Sequence, residues 1–165
     1  MALRVLVTGA YGPAGRSMID ALNCESVTLL ACDCEPDPEA IDQVPPQRRF
    51  VVHRTDDPEF VGDLVTLCVH QRVNVLVPMR DSDRVALTRV RRLFERLGAC
   101  VWLAPISAQA PGEQARRILR LAERAHAKTA VGDWFRRSRV GTPVIDHAAG
   151  IIEPSNPHDV TARAP

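Results

Sequence analysis

The chain has 165 residues, of which 45% are hydrophobic and 25% are charged, and its formal net charge is +1. These values are typical of one globular domain with an appendage. They argue against nucleic acid as a partner, because the chain has neither a strong positive charge nor an aromatic stacking platform. No apolar run is long enough to span a bilayer and no signal peptide precedes the first strand, so we expect a cytoplasmic protein without a membrane partner.

The first element is a short apolar strand, "LRVLVTG", which runs into a glycine-rich turn. Gly9, Gly12 and Gly15 follow at even spacing, and Pro13 stands where the first residue of a helix belongs. A second apolar strand, "SVTLLACD", ends at Asp33. Continuous apolar runs of this length predict strands buried on both faces of a parallel sheet. The turn favours an anion site, although it also suits close packing of a helix on a strand.

Three further strands alternate with helices. A proline-rich loop precedes the third strand, "RFVVHR", and the helix that follows is predicted to start at Asp57 and Pro58. The fourth strand, "VNVLVP", ends at Pro78, and the fifth is "CVWLAP". The helix before the fourth strand is predicted to bury Val61, Leu64, Val65 and Cys68. The helix after the fourth strand is predicted to bury Ala86, Val90, Leu93, Phe94 and Leu97 and to end at Gly98.

After residue 105 the pattern changes to helices. "GEQARRILRLAERAH" places Ala115, Ile118 and Leu119 on one side, and a second short helix is predicted over residues 127–138. Together these elements predict an α/β fold: a doubly wound, mostly parallel five-stranded Rossmann-like sheet over residues 1–105 with helices on both faces. A C-terminal helical extension over 106–145 and a flexible, proline-rich tail over 146–165 are expected to follow.

The balance of charge changes along the chain. Residues 1–79 carry six arginines against eleven acidic residues, whereas residues 80–140 carry thirteen arginines and one lysine against six acidic residues. Such a division favours an anionic ligand or a self-association surface, and it also arises where arginine-rich helices only face solvent.

The turn "TGAYGPAG" has the spacing GxxGxxG and resembles the fingerprint of short-chain dehydrogenases, in which an acid such as Asp33 would bind the adenosine ribose of NAD. Those enzymes need a tyrosine and a lysine four residues apart. The one tyrosine here is Tyr11 and the one lysine is Lys128, so a dehydrogenase of that type is excluded. Binding of NAD or another nucleotide without this chemistry stays an alternative.

A second resemblance covers residues 3–145. "VNVLVPMRDSDRVALTRVRRLFERLGACVWLAP" is similar to the second half of the N-terminal domain of ATP-grasp ligases, such as the large subunit of carbamoyl phosphate synthase, biotin carboxylase and the pyrrolysine-biosynthesis ligase. Pro78, Asp81 and Asp83 match that pattern, whereas Met79 and Arg80 depart from it. "VTGAYGPAG" resembles the turn of the pyrrolysine-type branch, and "HAKTAVGDWFRRSRVGTPV" resembles the passage into the ATP-binding domain.

The resemblance implies a small-molecule or nucleotide site at the glycine turn. Its residues would be Thr8, Gly9, Ala10, Tyr11, Gly12, Gly15 and Pro78, with Asp33 and Asp81 at the rim and Lys128 as the candidate ATP contact. ATP is the cofactor that the resemblance implies, and NAD is the alternative.

In ATP-grasp ligases the lid, the adenine pocket and the metal-binding acids follow this stretch. The resemblance therefore implies a ligand-binding module without catalytic residues of its own, not a complete ATP-dependent ligase. Its partner would be a chain that carries an ATP-binding domain, or a second copy of itself. A non-catalytic protein-interaction domain is the remaining alternative.

The cysteines and histidines show no metal-binding spacing. Five cysteines without a CxxC pair predict reduced, mostly buried thiols. His53 and His70 flank the predicted core and are interpreted as structural residues.

Overall fold

Alternating strands and helices make up the part of the chain that the structure, a computed structural model, describes: residues 2–36, 41–104 and 111–124. The strands are β1 (Leu3–Thr8), β2 (Val27–Asp33), β3 (Arg49–Val51), β4 (Val75–Pro78) and β5 (Cys100–Val101). The helices are α1 (Pro13–Leu22), α2 (Phe60–His70), α3 (Asp81–Arg96) and α4 over 111–124, and a short 3-10 helix spans Pro46–Arg48. The strands form one parallel sheet in the order β3-β2-β1-β4-β5. The predicted Rossmann-like α/β fold is therefore confirmed.

Strand β1 lies at the centre of the sheet and sets its register. It pairs with β2 from Leu3↔Val27 to Thr8↔Cys32, and on its other side with β4 up to Thr8↔Pro78. The chain runs outward from β1 through β2 to β3 and then crosses to β4. The carboxyl ends of β1 and β4 therefore meet at the point where the strand order reverses, which is where open α/β sheets form a ligand crevice.

Two apolar layers cover the sheet because successive side chains of each strand point to opposite faces. On one face α1 and α4 pack on the odd-numbered residues of β1, β2 and β4, and the buried set includes Val5, Val7, Leu29, Ala31, Val75, Val77, Met18, Ile19 and Ile118. On the other face α2 and α3 pack on the alternate residues, and the buried set includes Leu6, Leu30, Leu76, Val101, Leu64, Cys68, Leu87 and Phe94. Helices thus lie on both faces, as predicted.

Helix α2 begins later than predicted. Asp57, the expected cap, lies three residues before the first helical residue, Phe60. Its carboxylate accepts the N–H of Glu59 at 2.8 Å, and its carbonyl accepts the N–H of Phe60 at 3.2 Å. Asp57 therefore closes a turn that leads into α2, and does not cap the helix itself.

The buried face of α3 agrees only in part with the predicted one: Phe94 is buried and Ala86 and Val90 pack against the core. Leu93 and Leu97 are 42% and 41% exposed, whereas Leu87 and Phe94 are fully buried and Asp83 is 2% exposed. Helix α3 is therefore rotated about its axis, so that the line through residues 83, 87 and 94 faces the sheet. The reason is polar: Asp83 has hydrogen-bond partners on two other elements, described below.

Strand β3 is shorter than predicted because it lies at the edge of the sheet. Its last ladder contact is the N–H of Val52, which donates to the carbonyl of Asp33 at 2.9 Å. The next residue, His53, turns away to bond with Asp63. The helix predicted over 127–138, the tail over 146–165 and Lys128 lie outside the described residues. Within the described ranges, no helix combines the length and hydropathy that a membrane span requires.

Candidate functional site

The glycine turn joins β1 to α1 at the centre of the carboxyl edge. Gly9 has a φ of +60°, a left-handed conformation that favours glycine. At Gly15 the constraint is space, because an added Cβ would lie 2.5 Å from the carbonyl oxygens of both Gly9 and Ala10. At Gly12 the nearest atom to such a Cβ is the Gly9 carbonyl oxygen at 3.9 Å. Two of the three glycines are therefore required by the local geometry.

Part of the turn's hydrogen-bonding capacity is used by β2. The N–H of Ala10 donates to the carbonyl of Cys32 at 3.3 Å, and the N–H of Tyr11 donates to the Asp33 carboxylate at 3.2 Å. The first N–H of α1 with an intrahelical acceptor is that of Arg16, which bonds to the Gly12 carbonyl at 3.0 Å. The N–H groups of Gly12 and Ala14 precede that bond and lie at the positive end of the helix dipole.

Arg80 connects three strand ends above this turn. It lies two residues after the end of β4, at the N-cap of α3, and its stem passes over Gly9, where an added Cβ would lie 2.9 Å from the Arg80 Cγ. Its Nη2 donates to Asp33 at the end of β2, and its Nη1 lies 3.3 Å from the Cys34 Sγ. Burial works against the charge, but the contacts with Cys34 and Asp33 raise the pKa of Arg80 above its ordinary value. A charged guanidinium therefore crosses the crevice where the strand order reverses.

Asp33 is the buried partner of Arg80. Its side chain is 2% exposed, compared with 43% for Arg80. Besides Arg80 and Tyr11, it accepts the N–H of Cys34 at 2.7 Å. Asp33 thus has three donors within the protein, which satisfies a carboxylate that lies out of water.

A second buried carboxylate lies on the other side of β1. Asp83 accepts the hydroxyl of Thr8 at 2.7 Å on one oxygen and the hydroxyl of Thr55 on the other. Thr8 is 1% exposed and Asp83 is 2% exposed. This network joins β1, the loop after β3 and the first turn of α3. The Thr8 hydroxyl is directed into the protein by this bond.

Asp81 and Pro78 occupy different environments. Asp81 is 93% exposed and pairs with Arg84 at 2.6 Å on the surface of α3. Pro78 is buried at the end of β4, opposite Thr8 in the register. A cleft of about 780 Å³ extends outward from Arg80 and is lined by Arg54, Thr55, Asp81, Val85 and Arg89, among others.

A second cleft, of about 660 Å³, adjoins the first along β3 and contains a histidine–carboxylate pair. The imidazole Nδ1 and the backbone N of His53 lie 2.7 Å and 2.8 Å from the same oxygen of Asp63. The hydrogen bond that the His53 ring donates to the Asp63 carboxylate raises the pKa of His53. Partial burial acts to raise the pKa of Asp63, but the hydrogen bonds from His53 outweigh it and the pKa is lowered. The pair fastens the end of β3 to the first turns of α2, which agrees with a structural role for His53.

All five cysteines lie within the described residues and have free thiols. Only Cys32 and Cys68 are buried, so the prediction of mostly buried thiols was wrong, since Cys24 is exposed and the other two are half-buried. Burial, together with the charges of Asp83 and Asp33, raises the pKa of Cys32, and burial raises that of Cys68 to about 12. Among the described residues, no group of three or more histidine, cysteine or acidic side chains is arranged to hold a metal ion.

No protein-family model matches the chain, and no curated protein matches it either. Among solved structures, the NAD complex of dTDP-glucose 4,6-dehydratase from Bacillus anthracis str. Ames is similar, with 15% sequence identity and a TM-score of 0.42. The match covers 71% of this chain and 49% of the dehydratase chain, so this chain spans about half the length of that protein. A similarity of this size gives no information about ligand or activity.

The fold brings most of the predicted site residues to one edge of the sheet. At the carboxyl ends of β1, β2 and β4, in the turn that follows β1 or in the first turn of α1 lie Thr8, Gly9, Ala10, Tyr11, Gly12, Gly15, Asp33 and Pro78. Asp81 lies on the exposed surface of α3, where it lines the cleft that extends outward from Arg80, and Lys128 lies outside the described residues.

Sequence reasoning missed the roles of Arg80, Asp83 and Thr55. The position of Arg80 two residues after the fourth strand was a usable signal, because parallel strands end at the same edge of a sheet.

Proposed function

We propose that the protein is a small-molecule-binding module that takes an anionic ligand, of which a nucleotide is the leading candidate, on the exposed side of the Arg80 guanidinium, beside the glycine turn. In this proposal the module is related to the N-terminal domain of ATP-grasp ligases. The observation that carries the proposal is the guanidinium of Arg80, held across the point where the strand order reverses. Arginine is the residue best suited to bind phosphate and carboxylate groups, because its planar fork matches their geometry.

One further feature supports an anionic ligand, and the adjoining cleft offers the space for it. The amino end of α1 opens onto the same edge, so its first N–H groups and the helix dipole favour negative charge there. The adjoining cleft has a volume of about 780 Å³, which suits a ligand the size of a nucleotide, and its charged lining residues are three arginines and three acids: Arg54, Arg80, Arg89, Glu35, Asp56 and Asp81.

We further propose that the module has no catalytic activity by itself. Within residues 2–36, 41–104 and 111–124, the polar side chains nearest the crevice are engaged with one another: Thr8 with Asp83, and Asp33 with Arg80. A partner chain that carries an ATP-binding domain would supply the reaction, or a second copy of the chain would complete the site.

Binding of NAD is the alternative. The glycine turn and Asp33 at the end of β2 support it, because this is the pattern that binds the ribose of NAD in dinucleotide-binding folds. In this structure Arg80 is hydrogen-bonded to the Asp33 carboxylate, so NAD would have to displace that arginine to form the usual ribose contact.

Isothermal titration calorimetry with ATP, NAD, NADP and a set of amino acids tests the proposal. We expect saturable binding of ATP, and we expect Arg80→Gln to weaken it about tenfold or more, since a hydrogen bond to a charged group contributes about 1.5–3 kcal/mol. Arg91→Gln is the matched control, because Arg91 pairs with Glu95 on the exposed side of α3. Absence of binding by every ligand, with the folded protein verified by circular dichroism, refutes the proposal.

A further inference from the structure

Asp33 occupies the position at which dinucleotide-binding folds recognise ribose, but its surroundings indicate another role. We infer that Asp33 is a positioning residue for Arg80, and that the crevice recognises the oxyanion of its ligand and not a ribose. This inference rests on the proposed function, since it specifies the ligand chemistry of the same crevice.

The first argument is the number of bonds that Asp33 already accepts. Three donors reach its carboxylate: the backbone N–H groups of Tyr11 and Cys34, and the guanidinium of Arg80. The two backbone donors belong to the turn and the strand end, so they remain in place when a ligand binds. A ribose hydroxyl would therefore compete with Arg80 for this carboxylate.

The second argument is burial. Asp33 is 2% exposed, so it depends on Arg80 for compensation of its charge. A neutral hydroxyl in place of the guanidinium would leave the buried carboxylate without a counter-charge, which is strongly unfavourable. Arg80 therefore stays paired, and the ligand meets the exposed side of the guanidinium.

The third argument is the path of the Arg80 side chain. Its Cγ, Cδ and Nε pack over Gly9, and its far end is fixed by Asp33 and Cys34. A guanidinium fixed at both ends loses little conformational freedom when an oxyanion binds. Asp33 thus holds the Arg80 guanidinium in position to bind the ligand, although the negative charge of Asp33 offsets part of the long-range attraction between Arg80 and an anion.

The test compares three probes by calorimetry: ATP, tripolyphosphate and adenosine. We expect tripolyphosphate to bind with a dissociation constant within about threefold of that of ATP, and adenosine not to saturate. Arg80→Gln weakens both phosphate probes about tenfold or more. Arg80→Lys keeps the charge beside Asp33 but removes the fork, and we expect it to weaken them about fivefold or more.

A double-mutant cycle tests the positioning role. Asp33→Asn alone weakens tripolyphosphate binding, whereas adding it to Arg80→Gln changes the dissociation constant less than twofold, because Asp33 acts through Arg80. A merely structural role of Asp33 would instead add its full effect in the double variant. If Asp33→Asn does not fold, Arg80→Lys and the three-probe comparison still decide the ligand chemistry.

The outcomes separate this inference from the proposed function. A preference for ATP over tripolyphosphate of tenfold or more that Asp33→Asn abolishes shows that Asp33 reads the ribose, and overturns the inference alone. Saturable binding of adenosine as tight as that of ATP has the same meaning. If none of the probes binds, the proposed function and the inference both fail.

Discussion

Gly15→Ala is expected to destabilise the protein although it places a better helix former in a helix. Alanine in place of glycine in a helix stabilises by about 1 kcal/mol. At Gly15, however, the new Cβ would lie 2.5 Å from two carbonyl oxygens and 2.7 Å from the carbonyl carbon of Ala10. Carbon and oxygen normally approach no closer than about 3.3 Å, so α1 or the turn must move by about 0.8 Å. Overpacking of this kind costs about 1–3 kcal/mol, and backbone atoms give way less readily than side chains.

Because the clash is with backbone atoms, we take the cost as about 2–3 kcal/mol, and subtracting the gain leaves a net loss of about 1–2 kcal/mol in the free energy of unfolding, measured by urea denaturation with circular dichroism. Two matched variants isolate the cause. Gly62→Ala in α2 would place a Cβ 3.8 Å from the Glu59 carboxylate, so we expect a gain of about 0.5–1 kcal/mol. Gly12→Ala meets no clash, since its nearest contact is at 3.9 Å, but Gly12 is the N-cap of α1 and alanine caps less well than glycine, so we expect a loss of about 0.5 kcal/mol, smaller than that of Gly15→Ala. A Gly15→Ala protein as stable as wild type would show that the close approach of residue 15 to the Gly9 and Ala10 carbonyl oxygens does not require glycine.

Three further predictions concern stability. Asp83→Asn should lower the free energy of unfolding by about 1–3 kcal/mol, because it replaces a buried carboxylate that accepts two hydroxyl hydrogen bonds. Asp81→Asn on the surface should change the free energy of unfolding by less than about 1 kcal/mol, and equal effects of the two variants in urea denaturation contradict the buried network. Because the pKa of His53 is raised, its pairing with Asp63 stabilises the fold below pH 6.5, the ordinary pKa of histidine, and this stabilisation is lost as the pH rises through the folded pKa. The difference in melting temperature between wild type and His53→Gln should therefore be larger at pH 5.5 than at pH 8.5, and a difference that does not depend on pH refutes the pairing. Arg72 has a φ of +50°, so Arg72→Gly should stabilise by about 0.5–1 kcal/mol in the same denaturation assay, and a loss of stability would contradict the left-handed conformation.

The fold could be predicted from the sequence because its signals are local. Each strand is a continuous apolar run, and each is separated from the next by a helical pattern or a loop of suitable length. The rule that parallel strands need crossover connections then leaves few topologies. What failed was local detail that depends on neighbours. Asp57 closes a turn before α2, and β3 ends early because an edge strand has a partner on one side only.

The site was predictable in part. Gly9 and Gly15 follow from the turn pattern, because the backbone itself requires them. Asp81 and Asp83 both matched the family pattern, yet only Asp83 is buried and bonded to β1. Residues two apart on a helix point about 200° apart, so the side of α3 that meets the sheet decides between them.

The sequence by itself determined the order and type of the elements and the place of the glycine turn, because these depend on side-chain periodicity and backbone geometry over a few residues. Only the tertiary structure decided that Arg80 crosses from β4 to Asp33, 47 positions earlier in the chain, and that Thr8 and Thr55 hold Asp83. Such pairs form because parallel strands deliver distant residues to one edge, where a buried carboxylate must find donors that no local pattern specifies.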